Sequence, residues 1–182
     1  MCNVLTLTLV VLLAGSAKSG ALDPRANRPD PSQRHVGANR AYDDREGGED
    51  IATAIAIPGD VTLLPYHDTG ATCDDLDDYD EACPYQGSTS PDVVYSFTPS
   101  EDVVVRVDLC PSAYDTKVYV YETAQGNLVA CNDDAGCGYS GWQSLIAYLT
   151  LTGGVTYYIV IDGYGGDCGT YDFTLERQED CV

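Results

Sequence analysis

From Val103 to Leu109 every second residue is apolar. Val103, Val105, Val107 and Leu109 share one face, and Val104, Arg106 and Asp108 share the other, as in a strand with one buried side. The run from Tyr114 to Asp134 repeats the pattern. Val118 and Val120 alternate with Lys117, Tyr119 and Tyr121, Gln125-Gly126-Asn127 reads as a turn, and Leu128 to Ala130 runs back. That is a β-hairpin, because Gly and Asn tolerate the positive φ of a tight turn. Near the C-terminus Tyr171, Phe173 and Leu175 oppose Asp172, Thr174 and Glu176. Further strands are predicted at Ile51–Ile57, Asp92–Thr98 and Leu145–Leu151, and at Val155–Asp162, which Gly153-Gly154 joins to its predecessor as a second hairpin. Pro58-Gly59, Pro65 and Pro99 punctuate the series. Tyr66 to Pro91 reads as a long loop, and no segment carries a helical period. About eight short strands separated by turn signals predict an all-β chain: a single antiparallel β-sandwich with jelly-roll-like topology.

The strands occupy only part of the 182 residues. Residues 1–20 read as a signal peptide, with an apolar run from Val4 to Ala14 that is too short for a membrane span. Residues 21–48 carry Pro and Arg but little apolar surface, so they read as a disordered linker or propeptide-like arm. Residues 49–182 form the predicted sandwich. An exported protein with no membrane insertion is the expectation.

Charge narrows the partners. The chain has 29 acidic and 9 basic residues, a net charge of −20, and beyond residue 50 its only basic residues are Arg106, Lys117 and Arg177. Such a domain repels phosphate backbones, which excludes nucleic acid as a partner. Acidity serves solubility, and it also suits a hard cation. Calcium takes roughly six to eight oxygens from loops that can wrap it. The candidate ligands are Asp77, Asp78 and Asp80 between Cys73 and Cys83, Asp115 at the start of the central hairpin, Asp133 and Asp134 at its end, and Asp162 and Asp167 around the last Gly-rich loop. Asn and Asp in such places also cap turns through their own backbone.

Eight cysteines in an exported chain predict a disulfide-stapled fold. If Cys2 leaves with the signal, seven remain. Cys73 and Cys83 flank one acidic loop and form the expected local pair. Cys168 and Cys181 would pin the C-terminus. Cys110 and Cys131 meet if Pro111 to Tyr114 carries the chain across to the other sheet, which leaves Cys137 free. The rival pairing, Cys131 with Cys137, leaves Cys110 instead. There is no C-x-x-C, so a zinc ribbon or thioredoxin-type motif is not supported.

Fourteen tyrosines accompany two Phe and one Trp. Tyr119, Tyr121 and Tyr158 point away from the predicted core, and together with Trp142 they are candidates for stacking on sugar rings or packing on a protein polymer. The alternative is that they fill the edge of a sandwich core. Catalytic signals are weak. His67 lies in a loop, and Ser140 sits in GYSGW, which lacks the strand-to-helix setting of a nucleophile elbow.

Four blocks carry a resemblance: PDVVYSFTPS at 91–100, YDTKVYVYE at 114–122, ACNDDAG at 130–136 and LTGGVTYYIVIDGYGGDCGTYDFTL at 151–175. In order and spacing this set resembles the bacterial pre-peptidase C-terminal domain, over most of residues 51–178. The resemblance implies a secreted, non-catalytic β-sandwich of the kind appended to exported hydrolases, some of which bind calcium or engage insoluble polymers. The 182 residues carry no protease domain ahead of the sandwich, so the expectation is the accessory module on its own. The predicted function is a secreted, non-catalytic module, calcium-binding, that binds an extracellular polysaccharide or protein polymer or stabilises a secreted assembly. Two other readings are a structural surface or matrix protein with no ligand and a hydrolase with an unrecognised site.

Overall fold

In the computed structural model, which describes residues 48–83 and 85–178, the alternating segments become nine strands in two sheets. They are β1 (Ile55–Ile57), β2 (Tyr66–Ala71), β3 (Val93–Phe97), β4 (Val103–Asp108), β5 (Thr116–Glu122), β6 (Leu128–Asn132), β7 (Leu145–Leu151), β8 (Tyr157–Gly163) and β9 (Thr170–Arg177). One sheet runs β1-β3-β8-β5-β6 and the other β2-β9-β4-β7. All pairings are antiparallel except that of β1 with β3, which is parallel. The expected all-β sandwich is therefore present.

The inward faces behave as their period dictates. Val105, Val107, Phe173 and Leu175 from one sheet and Phe97, Val118, Val120, Ile159 and Ile161 from the other join one buried core. Sheets that meet face to face remove these side chains from water together, at about 25 cal/mol per Å2 of apolar surface.

Two local expectations change. Tyr66–Ala71, read as loop, is strand β2 and pairs with β9 along six positions. Its pattern is weak because Gly70 lacks a side chain, and a Cβ there would collide with the hydroxyl of Tyr171. Val61–Leu63 is a 3-10 turn, and Asp60 accepts from Thr62 N at its start. The segments on either side of Gly153-Gly154 do not form a hairpin. β7 lies at the edge of the second sheet and β8 inside the first, so the chain crosses the sandwich there. The crossing expected between Cys110 and Tyr114 is present, since β4 and β5 belong to different sheets.

The outer face of the five-stranded sheet is not solvated. Tyr79, Val94, Tyr119, Tyr121 and Val160 form a second buried cluster, with Leu128, Cys131 and Tyr158 packed against it. The segment between β2 and β3 lies over this face and supplies Tyr79, whose hydroxyl accepts from Ile51 N at 2.8 Å. Strands β5 and β8 are consequently buried on both sides.

That covering segment explains the disulfides, which correct the expected pairing. The bridges are Cys73–Cys168, Cys83–Cys131 and Cys110–Cys137, with Cα separations of 5.0, 6.0 and 5.4 Å. Cys73 does not close a local loop with Cys83. The β2–β9 ladder ends at Ala71–Thr170 and is extended by Thr72 N donating to Gly169 O, so the next positions in register are Cys73 and Cys168. Cys131 sits opposite Tyr119, on the covered face where Cys83 arrives. Cys137, expected to be free, meets Cys110. Cys168, taken by Cys73, does not pair with Cys181; neither Cys110–Cys131 nor Cys131–Cys137 forms. Cys181 lies outside the described residues, as do residues 1–20, read as a signal peptide, and nearly all of residues 21–48.

Candidate functional site

The central hairpin brings its two acidic ends together. Asp115 precedes β5, Asp133 and Asp134 follow β6, and antiparallel pairing places the start of one strand beside the end of the other. One carboxylate oxygen from each of the three lies within 4.8 Å of the others. Asp115 is buried, Asp133 half-buried and Asp134 exposed. The loop is held from below. Ser144 Oγ donates to Asp133 O at 2.8 Å, and Asn132 Oδ1 accepts from Leu145 N at 2.9 Å. Asp115 O accepts from Tyr164 N at 3.1 Å, which fixes the neighbouring β8–β9 turn.

The electrostatics of this end are unfavourable for bare carboxylates. Burial, then the charge of Asp134, pushes the Asp133 carboxyl up to about 6, against an opposing pull from Lys117. Asp133 Oδ1 is buried and has no hydrogen-bond partner. An orphaned carboxylate oxygen next to two more carboxylates is a setting that a hard, oxygen-seeking cation would relieve. The donors are all oxygen, with no His or Cys in the group, so they fit calcium or magnesium better than a transition metal.

The other expected ligands do not join this group. Asp77 and Asp78 are exposed on the covering segment, and Asp167 lies in the β8–β9 turn. Asp80 is committed to the protein: its carboxylate accepts from Gly87 N at 2.9 Å, Ser88 N at 3.2 Å and Lys117 Nζ at 3.3 Å. Desolvation alone would raise its pKa, but these donors hold it below the usual carboxylate value.

Asp162 is fully buried. Its Oδ1 accepts from Gly163 N at 2.6 Å and Ser88 Oγ at 3.2 Å, and its Oδ2 from Tyr119 Oη at 3.2 Å. Lys117 Nζ lies 3.8 Å from Oδ2, with both side chains at 0% exposure. That ammonium donates to Glu81 O at 2.7 Å and Tyr85 O at 3.2 Å, and it sits 4.6 Å from the centre of the Tyr85 ring. A lysine thus sits between the carboxylates of Asp80 and Asp162.

The expected aromatic ligand set is also corrected. Tyr119 and Tyr121 do point away from the inner core, but they are 0% and 1% exposed, because the covering segment lies on them. Tyr158 is half-buried against the same cluster, near the opposite end of β8 from the acidic group, and Trp142 is half-buried in the loop after β6. Among the described residues the exposed aromatics are Tyr139, Tyr148 and Tyr164. Tyr139 lies in the loop that follows Asp134, and Tyr164 donates its backbone N–H to Asp115 O, so chain connectivity puts both at the acidic end of the sandwich. Their exposure carries no periodic signal, since both lie in Gly-rich turns.

Ser140 and His67 each have a separate partner. Ser140 Oγ donates to Gln143 Oε1 at 3.2 Å, and His67 Nε2 contacts Asp172 Oδ1 at 2.9 Å on the outside of the β2–β9 pair.

No family model matches the sequence, and no curated protein matches it. Among solved structures the chain is similar to the pre-peptidase C-terminal domain of a collagenase from Bacillus anthracis. The identity is 15%, the match covers 68% of this chain and 94% of that one, and the TM-score is 0.46. This is the family that the four sequence blocks resemble.

Proposed function

We propose that this is an exported, non-catalytic binding module in which a calcium ion held by Asp115, Asp133 and Asp134 orders the loop end that contacts an extracellular polysaccharide or protein polymer. The observation that carries the reading is the convergence of three carboxylates within 4.8 Å, one of them with a buried oxygen that lacks a hydrogen-bond partner. Backbone carbonyls and water would supply the remaining oxygens that calcium takes. Three disulfides agree with an oxidising compartment, and among the described residues no helix is long and apolar enough to cross a membrane. Tyr139 and Tyr164, both exposed and at the same loop end as the three carboxylates, offer flat, half-polar surfaces, a chemistry suited to sugar rings and to protein chains.

Two results are expected. Calcium at about 100 times its dissociation constant stabilises the domain by about 2.7 kcal/mol over chelator at matched ionic strength, and Asp133→Asn abolishes the difference. Equal melting temperatures in calcium and chelator would end the cation reading. In co-sedimentation with insoluble polysaccharides and collagen, Tyr139→Ala combined with Tyr164→Ala weakens retention by roughly 1–2 kcal/mol while the melting temperature holds. A domain that stays in solution with every polymer leaves the structural matrix reading in its place.

A further inference from the structure

Four strands of the first sheet contribute to one row on its covered face. Lys117 on β5 pairs directly with Asp162 on β8. Asp92 precedes β3 by one residue, and Val93 pairs with Ile161, so Asp92 is next in register beside Asp162. On the other flank, β6 ends at Asn132 opposite Val118, which puts Asp133 beside Lys117. Lys117, Asp162 and Asp92 are each 0% exposed. Three ionisable groups in line under a protein cover form a costly arrangement for charges and a favourable one for chemistry that removes them.

We propose that Lys117 Nζ and Asp162 Cγ condense into an intramolecular amide, a covalent bridge between β5 and β8 that the folded chain makes for itself with Asp92 as proton carrier. The geometry around Asp162 suits an acyl acceptor. Oδ1 receives two donors, Gly163 N and Ser88 Oγ, which would hold the negative charge of a tetrahedral intermediate. Oδ2 faces the lysine and accepts from Tyr119 Oη, and it is the oxygen positioned to leave. Burial favours the neutral acid, the form that has a hydroxyl to lose, and pushes Asp162 up to about 7 even beside Lys117.

Asp92 is the group placed to move the protons. Its Oδ2 accepts from Asp78 N at 3.1 Å and Tyr79 N at 3.0 Å, whereas Oδ1 is buried with no partner. Desolvation foremost, with the charge of Asp162 adding to it, pushes this carboxyl up to about 8. It therefore holds a proton at the position next in register to Asp162.

The step balances without any co-reactant. Proton transfer within the buried pair turns ammonium and carboxylate into amine and carboxylic acid. Nζ attacks Cγ, and the C–N bond forms. Asp92 gives its proton to the departing Oδ2 hydroxyl and takes one from the nitrogen. The C–O bond breaks, one water leaves, and the amide keeps Oδ1 and one N–H. Two buried charges become one neutral group whose carbonyl retains the Gly163 and Ser88 donors.

The test is mass spectrometry of the full chain, reduced and denatured. The expected result is one water less than the sequence mass, after allowance for any leader removal, and a branched peptide containing both Lys117 and Asp162 in the digest. Asp162→Asn reaches the same final product by losing ammonia in place of water. Asp92→Asn keeps an oxygen to accept from Asp78 N and Tyr79 N, retains the sheet signature in circular dichroism, and stays at its full sequence mass. Wild-type protein at full mass, with Lys117 and Asp162 recovered on separate linear peptides, overturns the proposal. So does an Asp92→Asn variant that cross-links as completely as wild type, as far as the role of Asp92 is concerned.

Discussion

Replacing Cys73 and Cys168 together by serine is expected to cost about 4–5 kcal/mol, the largest loss from any single bridge in this domain. The reason is chain length. This bond closes 95 residues of sequence, whereas Cys83–Cys131 closes 48 and Cys110–Cys137 closes 27. In the loop-entropy view, the longest loop removes most freedom from the unfolded chain, and the shortest of the three contributes about 3.5 kcal/mol. Position adds to the effect. The Cys73–Cys168 bond continues the β2–β9 ladder and anchors the start of the covering segment that buries Tyr119 and Tyr121. Denaturant melts of the three double-serine variants check the order. A Cys110/Cys137 variant that loses more than the Cys73/Cys168 variant would show that local packing, not loop closure, sets these bond energies.

The bridges also show where periodicity stops being informative. Alternation along 103–109, 114–134 and 170–176 was enough to predict strands, and the inward residues Val105, Val118, Phe173 and Leu175 are in the core. The same pattern says which residues share a face, but not what covers that face. Tyr119 and Tyr121 face outward as expected and are still buried, because a segment with no period of its own lies on them. Cysteine pairing failed for the same reason. Nearness in sequence favoured Cys73 with Cys83, while the partner lies across a sheet register that no local rule reveals.

The candidate site was legible where it depended on hairpin geometry. Asp115 and the Asp133–Asp134 pair flank two neighbouring strands, so antiparallel pairing alone brings them together. Lys117 was less visible. It is the only lysine after residue 50 in a strongly acidic chain. That scarcity is a signal: a single ammonium among so many carboxylates, at the buried end of a strand, is positioned to neutralise a specific group. What it meets, Asp162 and the Asp80 loop, depends on the covering segment again.

In chelator, at matched ionic strength, raising the pH from about 5 to about 8 is expected to lower the stability of this domain, the reverse of ordinary acid denaturation. Most stabilising carboxylates have depressed pKa values, so acid removes their contribution. Here the buried ones are raised. From an ordinary 3.8, Asp92 is pushed up to about 8 and Asp162 to about 7, in both cases chiefly by desolvation. Asp75 and Asp133 each reach about 6, with burial again the first cause and neighbouring acids the next. Between the unfolded and folded values of such a group, the native state holds a proton that the unfolded chain has released. Native protein therefore binds more protons across this window, and stability falls as pH rises through it. Asp92 and Asp162, fully buried, dominate; Asp75 and Asp133 are partly screened by solvent and contribute less. If the Lys117–Asp162 amide has formed, Asp162 no longer titrates and the slope comes mainly from Asp92. Asp92→Asn, which stays uncross-linked, gives Asp162 back its titration, so its stability should fall only up to about pH 7, where Asp162 ionises, and level off above it. Calcium should recover part of the loss near neutral pH, since a bound cation favours the charged form of Asp133. A melting temperature that climbs steadily from about pH 5 to about pH 8 in chelator would mean that these carboxyls are ionised and compensated in the native state, Asp92 included.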